Sequence, residues 1–79
     1  MARCASLRFL PPGQTGIVSG LVAEGLVRRR LLDLGFVPGT VIRALRRSPL
    51  GDPTAYGVRG STIALRGADA DRVMIEPGY

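Results

Sequence analysis

The stretch EGLVRRRLLDLGFVPGTVIRAL, Glu24 to Leu45, decides the fold, because the spacing of its apolar residues changes halfway along. Val27, Leu31 and Leu34 fall at i, i+4 and i+7, one stripe of a 3.6-residue repeat, and predict a helix over 24–34. Arg28, Arg29 and Arg30 occupy its flank and outer face, and Glu24 suits the positive end of the helix dipole. Gly35 stands where such a helix closes, since a residue without Cβ tolerates the left-handed conformation. Phe36 or Val37 can then fold back onto the last turn, and Pro38-Gly39 keeps the helix from resuming. From Thr40 the repeat is two. Ile42 and Ala44 share one face, while Val41, Arg43 and Leu45 share the other, the pattern of a half-buried strand.

Strand signals continue on both sides. Upstream, Leu7 and Phe9 alternate with Ser6 and Arg8, as in an edge strand over 5–10 that stops at Pro11-Pro12-Gly13. Residues 14–22 carry Ile17, Val18, Leu21 and Val22, interrupted by Gly16 and Gly20, and read as a bent strand. Downstream, Ser48-Pro49-Leu50-Gly51-Asp52-Pro53 is a proline-bounded connection between antiparallel neighbours. Gly35, Pro38, Gly39, Pro49, Gly51, Asp52 and Pro53 are read as residues that shape turns. Tyr56 and Val58 mark a third strand, Gly60-Ser61 a tight hairpin turn, and Ile63 and Leu65 the returning strand. Residues 67–71 read as one helical turn, and Val73 and Ile75 as a last strand ended by Pro77. The expectation is a mainly β chain of five or six short strands with one inserted α-helix. Such strands bury one apolar face most simply by curling into a small, closed or nearly closed barrel.

Seventy-nine residues make room for one domain, 1–79, with the barrel core at about 7–76. A composition of 46% hydrophobic and 22% charged residues is that of a folded chain. No apolar run is long enough to span a membrane, and Met1 to Pro12 is not read as a secretory leader. The single cysteine, Cys4, is read as an incidental thiol, and one cysteine points to a reducing compartment, the cytoplasm. The net charge of +5 suits an acidic partner, yet all the basic residues are arginine, which reads first as a codon bias. Absent residue types exclude more. Without histidine the usual general base and the commonest metal ligand are missing. Without lysine there is no phosphate-binding Gly-rich loop of the usual kind. The carboxylates, Asp69 and Asp71 included, lack the spacing of a calcium loop. The chain is read as no enzyme, with no catalytic residues, no metal ligands and no cofactor.

The segment Arg30-Leu31-Leu32-Asp33-Leu34-Gly35-Phe36-Val37-Pro38-Gly39-Thr40, then Ser48 to Pro53, then Ile63-Ala64-Leu65-Arg66, closely resembles the FeoA family. Pro12 to Ile17 and Ala70 to Ile75 match the same pattern, so the resemblance spans residues 7–76. It implies an SH3-like barrel carrying a helix. It also implies a small cytoplasmic accessory or regulatory protein of bacterial ferrous iron uptake, acting by binding the FeoB membrane permease and its guanine-nucleotide-binding domain. Membrane contact would come only through that partner, and a homo-oligomer is compatible with the reading. The alternative is an SH3-like regulatory or nucleic-acid-binding barrel, as in the C-terminal domain of iron-dependent repressors of the DtxR type. Against nucleic acid as partner, the arginines are spread along the chain and only Phe9, Phe36, Tyr56 and Tyr79 could stack on bases.

The residues expected to meet the partner are Arg28, Arg29, Arg30, Leu31, Leu32 and Leu50. For the arginines the plainer reading is a solvated helix face, with Arg30 pairing with Asp33 or a nearby carbonyl. Leu31 and Leu32 sit about 100° apart on a helix and cannot both face the same core centre, so either one of them lines an apolar patch for a partner or a second copy, or the small barrel covers both at its edge. Leu50 lies in a loop that could recognise a partner or merely turn the chain. Tyr56 and Phe9 are read as packing residues.

Overall fold

The structure, a computed structural model, describes residues 5–77, and Cys4 and Tyr79 fall outside them. In chain order the elements are β1 (Ala5–Ser6), a 3-10 turn (Leu7–Phe9), β2 (Thr15–Leu21), α1 (Gly25–Leu34), β3 (Val41–Arg47), β4 (Thr54–Val58), β5 (Ser61–Leu65), α2 (Gly67–Ala70) and β6 (Val73–Pro77). All six strands join one antiparallel sheet in the order β1-β6-β2-β3-β4-β5. The chain is mainly β with one substantial helix, in line with the periodicity.

Alternation along the strands sets the buried face. Ile42 and Ala44 of β3 lie opposite Val58 and Tyr56 of β4, and all four are buried. Val18 of β2 pairs with Ile75 of β6, again both buried. The expected bend in β2 is a shift of register between Val18 and Gly20. Gly16 lies within the regular ladder, where a Cβ would stand 2.7 Å from the Ile75 Cδ1.

Helix α1 crosses from β2 to β3 and closes at Gly35, whose φ of 110° lies in the left-handed region. The Gly35 N–H donates to the Leu32 carbonyl and the Phe36 N–H to the Leu31 carbonyl, each at 3.0 Å. This reversal satisfies the last carbonyls of the helix and returns Phe36 to the same apolar cluster as Leu31. Of the stripe Val27, Leu31, Leu34, only Leu31 is fully buried. Val27 and Leu34 lie at its margins, partly exposed, because a small sheet face cannot cover two full turns.

Three expectations are corrected. The sheet is not closed into a barrel, since β1 and β5 are its two free edges and do not pair. The β1 ladder stops after two residues because the Ser6 hydroxyl accepts the Arg8 N–H at 3.2 Å and starts the 3-10 turn. Leu7 is thereby buried, whereas Phe9, expected to pack, is 69% exposed. In place of a backbone ladder, α2 carries the chain from the β5 edge back to β6, and Ala70 joins Leu7 in the core. Finally, the hairpin turn is Arg59-Gly60, one residue earlier than expected. Val58 pairs with Ser61, and Arg59 (φ 51°) and Gly60 (φ 82°) are both left-handed, as a two-residue turn of this hand requires.

Gly35→Ala tests the reversal. An added Cβ would meet the Val58 Cγ1 at 2.9 Å in a backbone region that side chains disfavour. The expected cost is about 1–3 kcal/mol, read from the urea midpoint. An unchanged midpoint would show that the turn makes no such demand.

Candidate functional site

The outer face of α1 carries Arg28 and Arg29, both exposed to solvent. Arg30 is tied down: its Nη2 donates to the Asp69 Oδ2 of α2 at 2.8 Å, a partner 39 residues away rather than Asp33. Leu31 is 0% exposed and offers a partner nothing, which removes it from the expected contact set. Leu32, its neighbour, is half-buried. The helix instead projects a leucine that lies outside the apolar stripe. Leu26 is 85% exposed on the first turn, close in sequence to the exposed Val22. Beside them runs a groove of about 700 Å³ lined by Leu21, Val22, Ala23 and Val27, with Glu24 and Arg72 at its rim.

The connection after β3 is a braced loop. The Gly51 N–H donates to the Ser48 carbonyl at 2.8 Å, and the Ser48 Oγ donates to the Asp52 carbonyl at 2.8 Å. The Asp52 carboxylate accepts the N–H of Gly67, so it ties the loop to the start of α2. Leu50 stands at the loop tip, 94% exposed. Under the loop, a cleft of about 460 Å³ is lined by Arg8, Phe9, Arg47, Asp52, Thr54 and Tyr56. The Arg47 Nη2 donates to the Arg8 carbonyl at 3.4 Å, and the Tyr56 hydroxyl reaches the Leu7 carbonyl at 3.5 Å. Burial pushes the Tyr56 hydroxyl above its ordinary value of 10.0, with Thr54 and Arg47 opposing the shift more weakly.

The two parts meet through α2. Arg30 of α1 holds Asp69, and Asp52 of the loop holds Gly67, so the four-residue helix has a grip from each side. Arg30 of α1 and the loop that carries Leu50 are therefore joined through α2. What the surface can do is make contacts: guanidinium groups for carboxylates or phosphates, and isolated leucines for an apolar partner. Among the described residues no three His, Cys, Asp or Glu side chains gather as they would around a metal ion. Nor is any helix among them long and apolar enough to cross a membrane. Leu26 could have been found in the sequence, because it is an apolar residue outside the apolar stripe. Phe9 could not, since only the Ser6 cap turns it outward.

A family model, the FeoA domain, matches residues 5–77. The Fe(2+) transport protein A/Fe(2+) transporter FeoB fusion protein of Porphyromonas gingivalis strain W83 is 31% identical over 70 residues, covering 89% of this chain and 8% of that protein. The chain thus spans less than a tenth of that relative's length. The solution structure of a FeoA-like protein from Clostridium acetobutylicum superposes with a TM-score of 0.91 at 33% identity, covering 100% of this chain and 92% of the other. The zinc-complexed FeoA of Stenotrophomonas maltophilia, described as an SH3 domain protein, superposes at 0.78 with 32% identity over 95% and 88% of the two chains. A manganese-dependent transcriptional repressor shares the fold alone, at a TM-score of 0.86 and 18% identity over 99% of this chain and 44% of that one.

The cleft under the loop has a pH signature. The folded state holds the Tyr56 proton more tightly than the unfolded chain does. The resulting stability is complete below pH 10.0 and drains away as pH rises from there through the raised folded value. With no lysine in the chain, few other groups titrate in that range. Urea midpoints of the wild type should therefore fall above about pH 10 while those of Tyr56→Phe, lower at neutral pH, change less. Parallel curves for the two proteins would refute the assignment.

Proposed function

The chain belongs to the FeoA family, and on that premise we propose that it is an accessory and regulatory protein of a bacterial ferrous iron uptake system. It works in the cytoplasm by binding the FeoB permease at its guanine-nucleotide-binding part, and breaks no bond itself. The observation that carries this reading is the fusion relative, in which a segment like this chain is covalently joined to a Fe(2+) transporter, FeoB. A covalent joint holds two modules at an effective concentration of order millimolar, an arrangement useful to a pair that must touch.

The surface supplies what such contact needs. Arg28 and Arg29 are free to steer an acidic surface, while Arg30 can exchange Asp69 for a partner's carboxylate at little cost, since an exposed ion pair is worth about 0–1 kcal/mol. Leu26, Leu32 and Leu50 supply apolar area, and Leu26 and Leu50 are already in solvent before binding. The rival reading, a nucleic-acid-binding or repressor-like barrel, rests on net charge and on a likeness of fold. Neither distinguishes this chain from other small basic domains.

Binding to detergent-solubilised FeoB, followed by biolayer interferometry with and without guanine nucleotide, tests the proposal. Leu26→Ser and Leu50→Ser should each weaken binding by about 1–2 kcal/mol without moving the thermal midpoint, and Arg28→Glu should slow association chiefly at low salt. Leu31→Ser, by contrast, should unfold the protein. Absence of binding in every nucleotide state, together with a salt-dependent shift on duplex DNA, would transfer support to the rival.

A further inference from the structure

Strand β5 is a free edge of the sheet, and its composition does nothing to guard it. Ser61-Thr62-Ile63-Ala64-Leu65 contains no charge and no proline, the two commonest means by which natural edges avoid pairing. The Val58–Ser61 pair closes the hairpin, so hydrogen-bonded positions alternate along β5 and fall at Ser61, Ile63 and Leu65. The N–H and C=O groups of Thr62 and Ala64 consequently point away from β4. Among the described residues, no turn, loop or cap hydrogen bond reaches them. Alongside this edge runs a groove of about 610 Å³ between α1 and β5, with Leu34 on one wall and Ile63 and Leu65 on the other. The strand is bracketed by Arg59 and Arg66, and neither is paired with a carboxylate among the described residues.

We propose that β5 receives an added strand: an extended segment of the permease, apolar at alternate positions and carrying carboxylates near its ends. The proposal rests on the reading that the permease is the partner, and it names the chemistry of the piece that docks. Main-chain hydrogen bonds to Thr62 and Ala64 hold the segment, alternate side chains enter the groove beside Leu34, and the terminal carboxylates meet Arg59 and Arg66. Charge argues against a second copy of this chain as occupant. Each copy carries a net charge of +5 and brings the same two arginines, Arg59 and Arg66, to the ends of the edge. Like charges there repel, whereas carboxylates would be attracted.

Hydrogen exchange with single-amide resolution, on the full chain with and without detergent-solubilised FeoB, tests this. The expected result is about tenfold or greater slowing of exchange at Thr62 and Ala64 on binding. Ala64→Pro removes an outward N–H without touching the β4 ladder, and should weaken binding about tenfold or more. If Ala64→Pro fails to fold, Arg59→Glu with Arg66→Glu should produce a similar loss while leaving the backbone intact. Permease binding with Thr62 and Ala64 still exchanging freely, or unaffected by both variants, overturns the strand addition and leaves the proposed function standing. No binding of the wild type removes both. Concentration-dependent protection of these amides without permease would make a second copy the occupant and overturn the permease segment.

Discussion

The reversal at Gly35 is the constraint on which the other contacts depend. One left-handed residue stops α1, satisfies its last carbonyls and sends Phe36 back under the helix beside Leu31. Without that change of direction, the helix could cover the sheet or the chain could enter β3, but not both within the residues that separate them. The short reach of α1 follows. A helix anchored chiefly by Leu31 and Phe36 leaves Val27 and Leu34 at the rim and Leu26 in water. The apolar surface available for contact is thus a by-product of how little sheet there is to cover.

The fold was largely legible because its signals are local. The change of period at Thr40, the Gly35 stop and the alternation in β3, β4 and β6 each depend on residues a few positions apart. Errors arose where a distant or unusual interaction decided the outcome. The 5–10 segment alternates like a strand, yet the Ser6 side chain captures the Arg8 N–H and curls the backbone. The hairpin turn was displaced by one residue because Arg59, a residue rarely found at positive φ, takes the first left-handed position. Closure of the barrel is expected because short strands bury one apolar face most simply by curling. Here a four-residue helix crosses the gap instead; residues 67–71 announce that helical turn, but not that it stands in for a backbone ladder.

The candidate surface was less legible for the same reason. Exposed arginines are easily read from the helix pattern, but the attachment of Arg30 to Asp69 spans 39 residues and no pattern announces it. Separating Leu31 from Leu32 required knowing which side of the helix faces the sheet. Leu50 at a loop tip and Leu26 outside the stripe could both be recognised from sequence as apolar residues without an evident core position. Solvent exposure then shows that the sheet claims neither.

The double grip on α2 has a mechanical consequence. Asp52 fastens the long loop to the first residue of α2, and Arg30 fastens the large helix to its third. The small helix behaves as a strut between two otherwise separate parts of the surface. A force that displaces the loop is felt at the helix through two polar linkages and one rigid turn, with no need for the sheet to deform. Opening the exposed Arg30 linkage would still leave the strut seated, because Ala70 stays in the core cluster with Leu7.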